Sequence, residues 1–234
     1  MARGEPTIAL AAVSKRYQGR DVVRDIHLTV HPGEVVGLIG PNGCGKTTVL
    51  RMVAGLVQPT QGTVTVGGVA LSELPGGVPA GLGVLFDPPG LLPHLSGLTN
   101  LSMLAALRQV ISAAEVRQWM RRVGLDPADR KRVGTYSQGM VQRLGIAQAL
   151  MEAPTVLLLD EPTNALDPSG VALVAQLMRE QQERGAAILV ASHYLEEVSR
   201  VCTRVLKIAE GRLMPAVDED LARQPGDDAR QVDP

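Results

Sequence analysis

The sequence predicts an α/β fold: a mostly parallel sheet carrying a phosphate-binding P-loop, an antiparallel β subdomain at the N-terminal end, and an inserted α-helical subdomain. Three observations predict it. Gly40-Pro41-Asn42-Gly43-Cys44-Gly45-Lys46-Thr47 fits Gly-x4-Gly-Lys-Thr and stands between the apolar run Val35-Val36-Gly37-Leu38-Ile39 and an unbroken helical stretch from Thr48. Far downstream, a second apolar run at residues 156–159 ends in Asp160-Glu161. Between them, from about residue 97 to 134, apolar side chains recur at helical spacing.

The elements follow in chain order. Residues 7–13, 26–30 and 63–66 read as short strands punctuated by Gly and Pro, an antiparallel sheet that flanks the phosphate loop. Residues 35–39 form the strand that leads into the loop, and Leu82-Gly83-Val84-Leu85-Phe86 is a strand leading into Asp87-Pro88-Pro89-Gly90. Leu101, Leu104, Ala105 and Leu107, then Val116, Trp119, Met120 and Val123, mark the apolar stripes of a helical subdomain. With the helix after Ser137 it spans about residues 87–150. Residues 156–159, 187–191 and 205–208 complete the core strands, with helices between them. One domain therefore covers residues 1–213. Residues 214–234 are a polar, Pro-containing tail, expected to be a solvated end.

The motifs dictate chemistry. Backbone N–H groups of Gly40, Asn42, Gly43, Cys44, Gly45 and the following Lys46, Thr47 and Thr48 can curl around phosphate oxygens, helped by the positive end of the next helix. Lys46 reaches the β- and γ-phosphates, and Thr47 offers a hydroxyl to Mg²⁺. Asp160, at a strand end, holds the same ion through its water shell. Glu161, one residue on and on the other side of the strand period, polarises an attacking water. These residues predict binding and hydrolysis of a nucleoside triphosphate. A glycine-rich turn without a ligand is the alternative, and the strand before it and helix after it speak against that. Cys44 lies in the loop at a helix N-terminus beside Lys46, a setting in which a thiol is expected to react and bound nucleotide to protect it.

Tyr136-Ser137-Gln138-Gly139-Met140, followed by Val141-Gln142-Arg143-Leu144-Gly145-Ile146-Ala147, resembles the signature loop and helix of the ATP-binding cassette (ABC) family. That loop usually reads Leu-Ser-Gly-Gly-Gln, so Ser137 and Gly139 match while Tyr136, Gln138 and Met140 depart. Read from the residues alone, Ser137 is either a plain N-cap or part of an anion site at a helix start. Further family landmarks come in order: Asn164-Ala165-Leu166-Asp167 resembles the D-loop, and Ser192-His193 the switch histidine. Tyr17 matches the aromatic on which family members stack adenine, a contact worth roughly 1–3 kcal/mol.

The resemblance covers about residues 7–213 and implies a P-loop NTPase core that uses ATP and Mg²⁺. It implies a dimer, of two copies or of this chain with a second ABC ATPase subunit, sandwiching two ATP, with Ser137 and Gly139 of one subunit completing the site of the other and Asp167 at the seam. Glu161, His193 and Lys46 would be catalytic; Thr47, Asp160 and Asp87 would face the metal. Asp87 stands where the family usually has Gln. That feature and the unusual signature resemble an exporter branch associated with bacitracin, lantibiotic and drug export, whose pore is a separate transmembrane permease.

Composition narrows the alternatives. The 234 residues are 45% hydrophobic and 20% charged, sufficient for a full core. A net charge of −1 without Lys/Arg runs gives no electrostatic case for nucleic acid. Neither a membrane-length apolar run nor a secretion-type N-terminus is visible, so the expected location is cytoplasmic, and the resemblance implies the inner face of the membrane. Two cysteines, Cys44 and Cys202, are too few for a disulfide framework. An import ATPase would share every catalytic motif. A soluble ATPase remodelling ribosomes or DNA is disfavoured by the single cassette, and a non-hydrolysing sensor by the joint presence of Lys46, Thr47, Asp160, Glu161 and His193.

Overall fold

The structure, a computed structural model, describes residue 5 and residues 7–193 and 201–216. Tyr194 and residues 217–234, most of the expected tail, lie outside the described residues.

Two sheets form the frame. In the first, β1 (Ile8–Tyr17), β2 (Arg20–Val30), β4 (Gln61–Val66) and β5 (Val69–Ala70) pair antiparallel in the order β2-β1-β4-β5. The first two strands are longer than the sequence suggested, because shifts in register within β1 let the pairing resume after each irregularity. The second sheet runs β10-β9-β3-β8-β7-β6. Here β3 (Val35–Ile39), β6 (Leu82–Leu85), β7 (Val156–Asp160), β8 (Ala187–Ala191) and β9 (Arg204–Ala209) are parallel, and β10 (Arg212–Pro215) turns back antiparallel on β9. The central β3, β7 and β8 are buried along their whole length, which is why they read as continuous apolar runs.

Side chains of these strands alternate between two apolar layers. Val156 and Leu158 of β7 and Leu189 of β8 enter a layer with helix α1 (Lys46–Val53) and the antiparallel sheet. Leu157, Leu159, Ile188 and Val190 enter a layer with α4 (Gln138–Leu150), α5 (Pro168–Glu183) and the inserted helices α2 (Gly97–Arg108) and α3 (Ala113–Arg122).

The insertion is helical as expected, with Leu101, Ala105, Val116, Trp119, Met120 and Val123 buried. Leu107 is a correction: it is 79% exposed. The stripe position beside Leu101 and Leu104 falls to Arg108, whose Nη1 lies 3.0 Å from the Glu152 carboxylate. Ser96, Ser112, Ser137 and Asp167 cap α2, α3, α4 and α5 by accepting backbone N–H bonds from residues three positions on.

Candidate nucleotide site

A cavity of about 240 Å³ opens where β3, β6 and β7 end. Its floor is the phosphate loop. Gly40 (φ 147°) and Gly45 (φ 113°) take backbone conformations that side-chain-bearing residues rarely adopt. A Cβ on Gly40 would come within 2.5 Å of the Ile208 carbonyl oxygen, so the loop and β9 meet backbone to backbone. Gly45 is the N-cap of α1, with no side-chain cap and no acidic residue in the first turn. The first N–H groups of that helix therefore remain for an anionic ligand. Lys46 is buried, and its Nζ donates to the carbonyl oxygens of Gly40 (2.6 Å) and Pro41 (3.3 Å), which spreads the ammonium across the loop.

Opposite the loop stand three carboxylates, Asp160, Glu161 and Asp87. Strand parity separates the first two. Asp160 continues the α1 side of β7, where burial pushes its carboxyl above the ordinary value. A hydrogen bond with Thr47 and the charges of Lys46 and Arg51 oppose that rise, while Glu161 adds to it. A buried carboxylate beside a hydroxyl is a donor pair suited to a cation. No group of three or more His, Cys, Asp or Glu suited to a metal exists among the described residues.

Glu161 leaves the strand with φ 49°. Its N–H donates to the Ala191 carbonyl (2.8 Å), and its own carbonyl accepts from Gln142 Nε2 on α4 (3.0 Å). The carboxylate Oε2 lies 2.7 Å from His193 Nδ1 and accepts from the His193 backbone N–H at 3.2 Å. Three elements thus fix one acid, and β8 delivers the histidine against it.

The expected residues fall into two groups. Asn42, Gly43, Gly45, Lys46, Thr47, Thr48, Asp87, Asp160 and Glu161 line the cavity, and His193 touches it through Glu161. Cys44 packs partly buried behind the loop, its Sγ 2.8 Å from where a Cβ on Gly40 would stand. Tyr17, Ser137 and Gly139 do not line it. Tyr17 is 43% exposed at the end of β1, with Lys15 Nζ 4.9 Å from its ring centre. Ser137 accepts from the Met140 N–H (3.3 Å) as the cap of α4.

Sequence reasoning missed Gln142 and Arg143. Gln142 is buried and braces Glu161, while Arg143 donates to the Val123 carbonyl (3.1 Å) and to Asp167 (2.8 Å), tying α3 to the start of α5. No local spacing marks either residue, since both act through how α4 docks.

The family model described as ABC transporter matches residues 23–164. The chain belongs to the ABC transporter family. A second model, of an AAA domain, matches residues 132–199. The uncharacterized ABC transporter ATP-binding protein YdbJ of Bacillus subtilis is 37% identical over 91% of this chain and 70% of its own length. The bacitracin transport ATP-binding protein BcrA of Enterococcus faecalis is 37% identical over 92% of this chain and 70% of its own. Among solved structures, an ATP-binding subunit of an ABC transporter superposes with a TM-score of 0.81 at 28% identity, covering 88% of both chains. A dimeric ATP-binding cassette bound to ADP and Pi superposes with a TM-score of 0.79 at 25% identity, covering 88% of this chain and 96% of that one. This ABC protein is accordingly an ATPase, the ATP-binding subunit of a transporter. No helix among the described residues is long and apolar enough to cross a membrane.

Proposed function

We propose that this ABC ATPase works as a pair of identical subunits that close around two ATP molecules and power export through a separate transmembrane permease, from the cytoplasmic face of the membrane. The observation that carries the reading is the cavity in which Lys46, Thr47, Asp160 and Glu161 converge. The loop N–H groups and Lys46 bind and orient the phosphates. Thr47 and Asp160 would hold Mg²⁺, with Asp87 on the same wall; the ion would neutralise charge developing on the phosphates. Glu161 accepts a proton from the attacking water, held for that task by Gln142, Ala191 and His193. Tyr17, exposed on the hairpin that also brings Val22 to the cavity, would stack the base.

Ser137 and Gly139 lie outside the subunit's own cavity, which supports their use by the opposing copy, as does the likeness to dimeric cassettes. Export is supported by the bacitracin transport relatives and by the acidic Asp87. The permease docks along residues 87–98, where Leu92 is 41% exposed.

The test is Glu161→Gln. It is expected to retain ATP, lose turnover by at least about a hundredfold and sediment as a dimer in Mg-ATP. Captured from detergent-solubilised native membranes in Mg-ATP, it should bring down a polytopic membrane protein. A variant that stays monomeric in ATP, or that brings down ribosomal proteins or nucleic acid with no membrane chain, refutes the transporter dimer.

A further inference from the structure

Asp87 belongs to two cavities. It lines the nucleotide cavity, and it also lines a second one of about 440 Å³ bounded by Tyr136, Gln138, Gln142, Asn164 and Ala165. On that second side its Oδ2 accepts a hydrogen bond from Asn164 Nδ2 at 3.3 Å. Asn164 opens a short turn that closely follows Glu161. Its own N–H donates to the Glu161 carbonyl and the Leu166 N–H to the Thr163 carbonyl, both at 3.2 Å. Ala165 sits at φ 60°, and its carbonyl oxygen lies 2.9 Å from where a Cβ on Gly139 would stand. A contiguous set of contacts therefore runs from the nucleotide cavity through Asp87 and Asn164 to the start of α4.

We propose that Asp87 is a positioning residue that works as a latch: it holds Asn164, and with it the turn at residues 164–167, until the carboxylate is drawn into the nucleotide cavity. Asp87 lines both cavities with one short side chain whose Oδ2 is held by Asn164, so a cation beside Thr47 and Asp160 competes with Asn164 for that carboxylate. At 3.3 Å the bond from Asn164 is an ordinary one, and it holds the Asp87 carboxylate when no cation competes. Letting go frees the turn that packs on Gly139. Occupancy of the cavity is thereby reported to a loop that does not line it. The release step rests on the reading of the cavity as a metal–nucleotide site; the latch itself does not.

Two measurements separate the claims. In nucleotide-free protein, amide hydrogen exchange at Asn164 and Leu166 is compared between the unsubstituted chain, Asp87→Ala, Asp87→Asn and Asn164→Ala. Asp87→Ala and Asn164→Ala are expected to speed exchange there about fivefold, the factor that one ordinary hydrogen bond is worth. Asp87→Asn, which keeps an acceptor oxygen, should fall between them and the unsubstituted chain, and amides of β6 and α4 should stay unchanged. Unchanged exchange at 164 and 166, or acceleration spread equally over β6 and α4, overturns the latch. In the Glu161→Gln background, the Mg²⁺ concentration for half-saturation with a fluorescent ATP analogue is then measured. Asn164→Ala, which removes the competitor for Asp87, is expected to lower it about fivefold, by the same hydrogen-bond factor. Asp87→Ala should raise it, and the double variant should behave as Asp87→Ala alone. A Mg²⁺ requirement unmoved by Asn164→Ala overturns the release. Failure of the parent to bind the analogue at all would refute the nucleotide reading while leaving the exchange result to stand or fall alone.

Discussion

At the scale of single residues, Asp160 bears the tension between stability and function. Its folded-state proton affinity is raised, chiefly by burial, so the native chain holds that proton more tightly than the unfolded one. Ionising it costs native stability, and the cost sets in as pH climbs past the ordinary value of 3.8 and is full above the raised one. Asp160→Asn is therefore expected to raise Tm of the nucleotide-free protein at pH 7, with the gain vanishing below about pH 4. Calorimetry with and without Mg-ATP checks both halves, because the same variant should lose the Mg²⁺-dependent part of nucleotide stabilisation. Asp167 has the opposite sign. The Ser169 hydroxyl, the Gly170 N–H and Arg143 hold its carboxyl below the ordinary value, so its contribution is present above pH 3.8 and is lost as pH falls further. Lys46, Thr47, Asp160 and Glu161 were legible in the sequence because each stands at a fixed short spacing from a strand end, and the chain itself delivers them. The contact of Glu161 with His193 was not, since motif order places both near the phosphates without saying that they touch. Gln142 and Arg143 act only through how α4 docks, which no local spacing encodes.

At the scale of elements, α4 is the piece on which the site depends. It reaches β6 because Gly145 has no side chain: a Cβ there would stand 2.7 Å from Leu85 Cδ1 and 2.9 Å from Pro89, two residues after Asp87. Gly145→Ala is expected to destabilise the protein by about 1–3 kcal/mol, read by urea denaturation. The same substitution should weaken Mg-ATP binding, because it pushes on the Asp87 loop. Leu107→Gln is the contrasting case. Leu107 faces solvent, so the change is expected to stay within about 0.5 kcal/mol of neutral. The two sites show what periodicity can and cannot tell. It found the inserted helices from Leu101, Val116, Trp119 and Met120, but an exposed leucine at the flank of a stripe looks no different from a buried one. It also passed over Gly145, whose importance is a matter of how near another strand comes.

At the scale of the whole molecule, the inserted helices share one apolar layer with β7, β8, α4 and α5. Leu101, Trp119 and Leu157 belong to the same cluster, so unfolding the insertion alone would strip the face of the catalytic sheet. The nucleotide-free protein is therefore expected to unfold in one calorimetric transition, and two resolved transitions would show that the insertion is an independent unit. Saturating nucleotide should raise that transition, by about 2.7 kcal/mol of stability at a hundredfold excess over Kd. The layered architecture was legible because strands buried on both faces read as unbroken apolar runs. The order of the strands was not: β3 pairs with β8 and β9, far along the chain, and that adjacency is a property of the packed whole.

The pleat of β7 has a further consequence for how this chain can vary. Removing or adding one residue between Val156 and Leu159 would preserve composition and hydrophobicity almost unchanged, yet it would turn every following side chain to the other face. Asp160 would leave the face that it shares with Val156, Leu158 and α1 and lose its place beside Thr47. Length changes in the surface connections alter reach; a change of one in this strand decides whether a carboxylate stands beside Thr47 at all. The double substitution Asp160→Glu with Glu161→Asp tests the same point without touching length, and it is expected to abolish turnover while leaving the sheet folded. Evolution and design alike can edit this strand only in steps of two.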